Sequence, residues 1–199
     1  MKLLFFLLAL GTVVAQPTAT PAQELLNSTS NLDRLVSRSL VAKLPLTNIG
    51  PSVMSGRVTD IDVNPMAPHE FYVGYASGGL WYTTNNGTTF QPVMDNSPTQ
   101  NIGDIAVHWP THTIYVGTGE NNSSRSSYAG IGILKSTDKG ASWQHIGLAD
   151  SHHIGKIEIN PTDPNEVIVG VTGHLYSSDN VRGIYKTTDG GNTWKQTLS

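Results

Sequence analysis

Cysteine is absent from all 199 residues. That excludes a disulfide framework and a bacterial lipid-anchor site, though an exported protein is permitted disulfides rather than obliged to carry them. Positive charge is scarce and scattered. Lys and Arg together number 12 against 15 Asp and Glu, for a formal net charge of −3. Nothing resembles the clustered basic stripe that nucleic-acid binding requires, so no nucleic-acid partner is expected. No apolar run after the amino end is long enough to span a membrane.

The amino end itself has the organisation of a secretory signal. Lys2 supplies a small positive region, Leu3 to Leu10 are apolar, and Val13-Val14-Ala15 place small residues before a cut at Gln16. Residues 1–15 are therefore read as a signal peptide, and the protein as secreted, periplasmic or on the cell surface. Four N-x-[ST] sequons, at Asn27, Asn86, Asn121 and Asn122, carry meaning only in a eukaryotic secretory pathway.

What dominates the remainder is repetition. Ser136-Thr137-Asp138-Lys139-Gly140-Ala141-Ser142-Trp143 returns as Thr187-Thr188-Asp189-Gly190-Gly191-Asn192-Thr193-Trp194. A weaker copy is Thr83-Thr84-Asn85-Asn86-Gly87-Thr88-Thr89-Phe90. A fixed period of about fifty residues is the signature of a repeat architecture.

The surroundings repeat as well. A short alternating run ends at proline in Ile61-Asp62-Val63-Asn64-Pro65, again before Pro110 and again before Pro161. A second ends in glycine at Gly74, Gly117 and Gly170, a third leads into each octapeptide, and a fourth leaves it. Alternation, β-branched and aromatic content, and Pro/Gly/Asn/Asp punctuation read as strands. Four short strands per unit describe a propeller blade, with the octapeptide on the turn between its third and fourth strands. The expectation is an all-β fold: a partial β-propeller of about three four-stranded blades over residues 47–199, preceded by a signal peptide and a short helix.

The octapeptide's composition suits a turn. Asp138, Asp189 and Asn85 can accept backbone hydrogen bonds, Gly87, Gly140 and Gly191 can take positive φ, and the hydroxyls of Thr83, Ser136 and Thr187 can tie down local backbone. Phe90, Trp143 and Trp194 supply the apolar anchor. All twelve residues are assigned structural roles.

The pattern Ser/Thr-x-Asp-x-Gly-x-Ser/Thr-Trp resembles the Asp-box, or BNR, repeat of sialidases, sortilin-type VPS10 propellers and glycoside hydrolase family 74. Ser55-Gly56-Arg57-Val58-Thr59-Asp60 through Gly78-Gly79-Leu80-Trp81, then Gly117-Thr118-Gly119-Glu120, most resembles large secreted bacterial BNR/VPS10-like proteins. The resemblance implies that the Asp-box lies on the blade periphery, away from any chemistry. It also implies that three units fall short of a closed propeller, so the remaining blades are expected from a missing C-terminal part.

Residues 16–46 are read as a linker and helix. Residues 17–30 are rich in Thr, Ser, Pro and Gln. Leu32, Leu35, Val36, Leu40 and Leu44 then recur at helical spacing, with a start signal at Ser30 and a stop at Pro45. The expected use is an amphipathic helix packed on the propeller.

Candidate binding residues come from the connections between second and third strands, brief at Ser77-Gly78 but expanded from Gly119 to Ala129 and from Gly173 to Arg182. Ligand-binding candidates are Arg57, Asp104, Glu120, Asn121, Arg125 and His174, with Asn101, Asn122, Tyr128, His152, His153, Tyr176 and Asp179 nearby. His152 and His153 carry no metal-ligand motif and are read as solvated loop residues, so neither metal nor cofactor is expected. Glu120 either binds a ligand or fixes its own loop.

Two function classes follow. A non-catalytic module would bind a protein or carbohydrate through the loop face. A glycoside hydrolase would need two carboxyl groups flanking the scissile bond. The family 74 resemblance implies a catalytic aspartate two residues before Gly78-Gly79, and this chain has Ala76 there, which cannot do acid/base work. No sialidase arginine triad can be assembled. The binding reading is preferred, with the N-terminal part of a polysaccharide hydrolase as the alternative. Of the tryptophans, only Trp109 is left open as a sugar platform.

Overall fold

The computed structural model describes residues 18–44, 56–124 and 127–199. Twelve short strands there form three antiparallel four-stranded sheets, each a meander in chain order. The first joins β1 (Val58–Val63), β2 (Phe71–Tyr75), β3 (Gly79–Thr83) and β4 (Gln91–Pro92). The second joins β5 (Ile102–His108), β6 (Thr113–Thr118), β7 (Ile133–Ser136) and β8 (Gln144–His145). The third joins β9 (Ile154–Asn160), β10 (Asp163–Val171), β11 (Gly183–Thr187) and β12 (Lys195–Leu198). The architecture is the expected partial β-propeller.

Burial follows from neighbours. The middle sheet is covered on both sides, and every residue of β5 and β6 is buried. One apolar layer, including Tyr72, Leu80, Met94, Ile105, Ile114 and Leu134, fills the space between the first and second blades. Another, including Tyr115, Ile133, Ile154, Ile157, Val167 and Val169, lies between the second and third. Each such side chain contributes roughly 1.5–3 kcal/mol on full burial. The outer blades have one neighbour each, and Val58, Ile61, Val63 and Ile168 stay 43–51% exposed.

Polar stitches cross the same seams. Asp62 accepts hydrogen bonds from the Val107 amide at 2.8 Å and the Trp109 indole at 2.7 Å. Asp104 accepts one from the Ile157 amide at 2.7 Å. The Trp143 indole donates to the Val93 carbonyl, and the Trp194 indole to the Ile146 carbonyl, both at 2.7 Å. Each of these two tryptophans thus latches its turn to the preceding blade.

The octapeptide turn is built the same way each time. The hydroxyls of Thr83, Ser136 and Thr187 accept the amides of Gly87, Gly140 and Gly191 at 3.0, 2.8 and 3.0 Å. Oδ1 of Asn85, Asp138 and Asp189 accepts the amides of Thr89, Ser142 and Thr193, each at 2.9 Å. Phe90 has no indole to donate and packs edge-on against Phe71 instead.

The amino-terminal helix corrects the sequence reading. It runs Ala22–Arg38, so it starts well before Ser30 and takes in most of the expected linker. Ser28, Thr29 and Ser30 return their hydroxyls to the carbonyls of Leu25 and Leu26, which removes their competition with the helix. The expected apolar stripe does not pack: Leu32, Leu35, Val36, Leu40 and Leu44 are 54–102% exposed. Leu25 and Leu26 make the contact with the first apolar layer. The helix also stops earlier than the expected Pro45, at Arg38, where Ser39 is extended; the signal-peptide reading of residues 1–15 lies outside the described residues.

Candidate functional site

Antiparallel order gives the sheets two unlike ends. The β1–β2 hairpins and the octapeptide turns emerge at one; the β2–β3, β6–β7 and β10–β11 connections and the blade-to-blade links emerge at the other. The second end gathers Arg57, Asn101, Glu120, Asn121, His152, His153, His174 and Asp179, as the loop lengths predict. Arg125 lies outside the described residues.

Gly119 sets the geometry of this end. Its φ is 85°, and a Cβ there would lie 1.8 Å from the His152 carbonyl oxygen. Only glycine lets the loop after β6 press this closely on the link between the second and third blades. The neighbouring Gly130 amide donates to that same carbonyl at 2.7 Å.

Glu120 consequently turns inward and is 0% exposed. Its carboxylate meets the Arg57 guanidinium at 2.6 Å, accepts the Asn122 amide at 2.7 Å and accepts the Ser127 hydroxyl at 2.5 Å. Arg57 also reaches the Ser124 hydroxyl at 3.3 Å. Of the two readings left open for Glu120, the contacts are those of a residue fixing its own loop and tying it to the first blade. Asn101 adds a bond from its amide to the Ala129 carbonyl at 3.3 Å. Asn121 packs on β9, where a Cβ on Gly155 would lie 2.8 Å from its amide nitrogen.

Asp179 does similar work in the third blade. It accepts the amides of His174, Val181 and Arg182 at 2.6, 3.0 and 3.2 Å. Burial works to raise its pKa, but those three amides hold the carboxyl below the usual range.

Asp104 sits one layer deeper, between the second and third blades. Burial pushes its carboxyl up to about 7, opposed by the Ile157 amide and by Lys156, whose ammonium lies 3.3 Å away. Lys156 also lies 3.9 Å from Asp60 on β1, so the three charges face one another across adjacent inner strands.

The histidines require a correction. His152 and His153 are 9% and 2% exposed rather than solvated. The rings of His152 and His174 stack with centroids 3.7 Å apart. Burial lowers the pKa of both His152 and His153, favouring the neutral imidazoles. Asp150, absent from the candidate residues, lies beside them, its carboxylate 3.8 Å from His174 Nε2. The spacing Asp150-x-His152 was the only signal for it, since His174 comes from another loop.

Other expectations resolve simply. Ala76 is 2% exposed; its amide donates to the Arg57 carbonyl and its carbonyl accepts the Ile102 amide, leaving backbone alone at that position. Trp109 is 8% exposed and bonded to Asp62, so it is a core residue. The aromatic rings left open at the loop end are Tyr128 and Tyr176, 55% and 57% exposed.

No protein-family model matches the chain. A probable oligoxyloglucan-reducing end-specific xyloglucanase from Neosartorya fischeri is 29% identical over 141 residues, covering 67% of this chain and 16% of the relative. Among solved structures, an ancestral enzyme of glycoside hydrolase family 74 superposes with a TM-score of 0.53 at 23% identity, over 70% of this chain and 18% of that one. The family 74 xyloglucanase of Xanthomonas campestris gives 0.54 at 16% identity, over 71% and 21%. The chain thus spans a minor part of each relative's length. It is a partial β-propeller similar to the propellers of xyloglucanases.

Proposed function

We propose that this segment is a non-catalytic binding part of a secreted propeller, in the manner of sortilin/VPS10-like and BNR-repeat proteins, and that its loop end takes a carbohydrate. The observation that carries this reading is the state of the carboxylates there. Glu120 is consumed by Arg57, Asn122 and Ser127, Asp179 by three amides, and the position two residues before Gly78-Gly79 is Ala76. None of these is free to act on a glycosidic bond, and the exposed Asp150 beside His174 is a single carboxylate where the reaction calls for a pair. What the loop end does offer is a pair of open tyrosine rings, Tyr128 and Tyr176, each with an apolar face and a polar tip. Similarity to a probable xyloglucanase favours a xyloglucan-like glycan over a protein as ligand.

The alternative is the front part of a polysaccharide hydrolase. One observation favours it: the Asp104 carboxyl, held at about 7, is in the range of a general acid. A single experiment separates the two. Xyloglucan oligosaccharide is titrated calorimetrically into the 199-residue chain, and reducing ends are assayed in parallel. Saturable binding weakened about tenfold in Tyr176→Ala, without sugar release, is expected, since one well-placed aromatic contact carries about 1.4 kcal/mol. Reducing-end release abolished by Asp104→Asn would replace the binding reading with the hydrolase. Neither binding nor sugar release would refute the carbohydrate reading.

A further inference from the structure

Between the second and third blades, the loop end forms a half-open pocket of about 160 Å³ lined by Ser127, His152, His153, His174, Tyr176 and Ser177, among others. On its wall the imidazoles of His152 and His174 stack with an interplanar angle of 17°. The Asp150 carboxylate stands beside them, and one ligand-type atom from each of Asp150, His152 and His174 lies within 4.8 Å of the other two. Nε2 of His152 is buried with no hydrogen-bond partner. A buried nitrogen left unmet is destabilising, so its presence beside a second imidazole and a carboxylate points to an occupant.

We propose that Asp150, His152 and His174 bind one divalent transition-metal ion of the zinc type. Two imidazoles and one carboxylate make a three-ligand set that leaves a further position open to water or a ligand. Nitrogen donors favour zinc, nickel, copper or iron over magnesium and calcium, which prefer oxygen. Ligation requires neutral imidazole, the form that burial already favours for His152.

Supporting groups stand behind the ligands. Nδ1 of His174 lies 2.9 Å from the Ser177 hydroxyl, which can accept its proton and so present Nε2 to the ion. In the structure Nε2 lies 3.0 Å from the Asp150 carbonyl oxygen and donates to it, with Nδ1 accepting from Ser177; ligation would exchange that bond for the ion and move the proton to Nδ1. Lone pairs of stacked imidazoles run nearly parallel, so the rings must splay to bring both nitrogens to about 2.0–2.1 Å from one ion. His174 sits on the connection after β10, outside the strands, so its ring can absorb that tilt while His152 stays pinned through its carbonyl by the Gly130 amide. The proposal stands apart from the glycan-binding reading.

The test is equilibrium dialysis of the 199-residue chain against zinc chloride, with bound metal counted by mass spectrometry. One zinc per chain is expected, with affinity falling about tenfold or more in His174→Ala and in Asp150→Asn, while exposed His69→Gln leaves it unchanged. The Asp150 side chain is 61% exposed, so Asp150→Asn keeps the fold intact and the result does not hinge on a core substitution. Cobalt(II) added to the same samples should give visible absorption bands that weaken in both variants. Absence of saturable zinc, equal competition by magnesium, or affinity untouched by both variants would each overturn the site.

Discussion

The two ends of the sheets are made on opposite principles. At the turn end, the same hydroxyl-to-amide and side chain-to-amide bonds recur in all three blades within a few tenths of an ångström. At the loop end, every blade differs. The first connection is a tight turn, the second is knotted around Glu120, and the third is held by Asp179. Repetition marks what the fold needs in each unit, whereas singular bonds mark what one place in the molecule needs. The contrast separates scaffold from candidate function without reference to any relative.

Breaking the loop end should have the largest effect. Glu120→Ala leaves Ser127, the Asn122 amide and Arg57 without their partner. A loss of about 3 kcal/mol is expected in urea unfolding, below the top of the range for a broken buried pair because Arg57 regains water. The Arg57 side chain is 39% exposed, which sets that discount. Limited proteolysis should then cut between Gly119 and Gly132 first. A loss no greater than an ordinary surface substitution would mean that Glu120 does not organise the loop.

The turn end should respond more weakly, because its bonds are many and the side chain-to-amide set is exposed. Trp143→Phe makes the second turn resemble the first, where Phe90 has no indole. It removes the latch to the Val93 carbonyl at a cost of about 1 kcal/mol, readable as a lowered melting temperature. The same change should not perturb ligand or metal binding at the far end.

Acid should divide the carboxylates by sign. The Ser142 and Thr193 bonds hold the carboxyls of Asp138 and Asp189 down at about 2. Their contribution is therefore complete above the ordinary unfolded value near 4 and is lost as pH falls toward 2. Asp104 is raised to about 7, so the folded state takes up its proton first, and stability should rise as pH falls from about 7 to 4. Melting temperature against pH should show both limbs. Asp138→Asn with Asp189→Asn should flatten the lower limb alone, and Asp104→Asn the upper. Swapped or absent assignments would refute the contrast.

Much of the scaffold was legible because it is local. Short runs ending at Pro65, Pro110 and Pro161, or at Gly74, Gly117 and Gly170, specify strands through alternation and punctuation within a few residues. The turn chemistry of Ser136 to Trp143 is likewise complete within the octapeptide, apart from the indole latch. The helix start was misread because Ser28, Thr29 and Ser30 look like linker residues until their hydroxyls are seen bonding back one turn.

The candidate sites were legible only as a region. Loop lengths placed Glu120, His152 and His174 at one end, yet nothing in the sequence announced that the histidines are buried, and only the spacing Asp150-x-His152 hinted that Asp150 joins them. That depends on Gly119 pressing against the His152 carbonyl, an approach between different blades.

The sequence by itself determined the repeat, the strands and the turns, since these arise from propensities and hydrogen bonds among near neighbours. Which carboxylates are spent and which nitrogens stay unmet was decided only by tertiary structure. Solvation and pairing depend on groups that lie far apart along the chain and meet only when the blades stack.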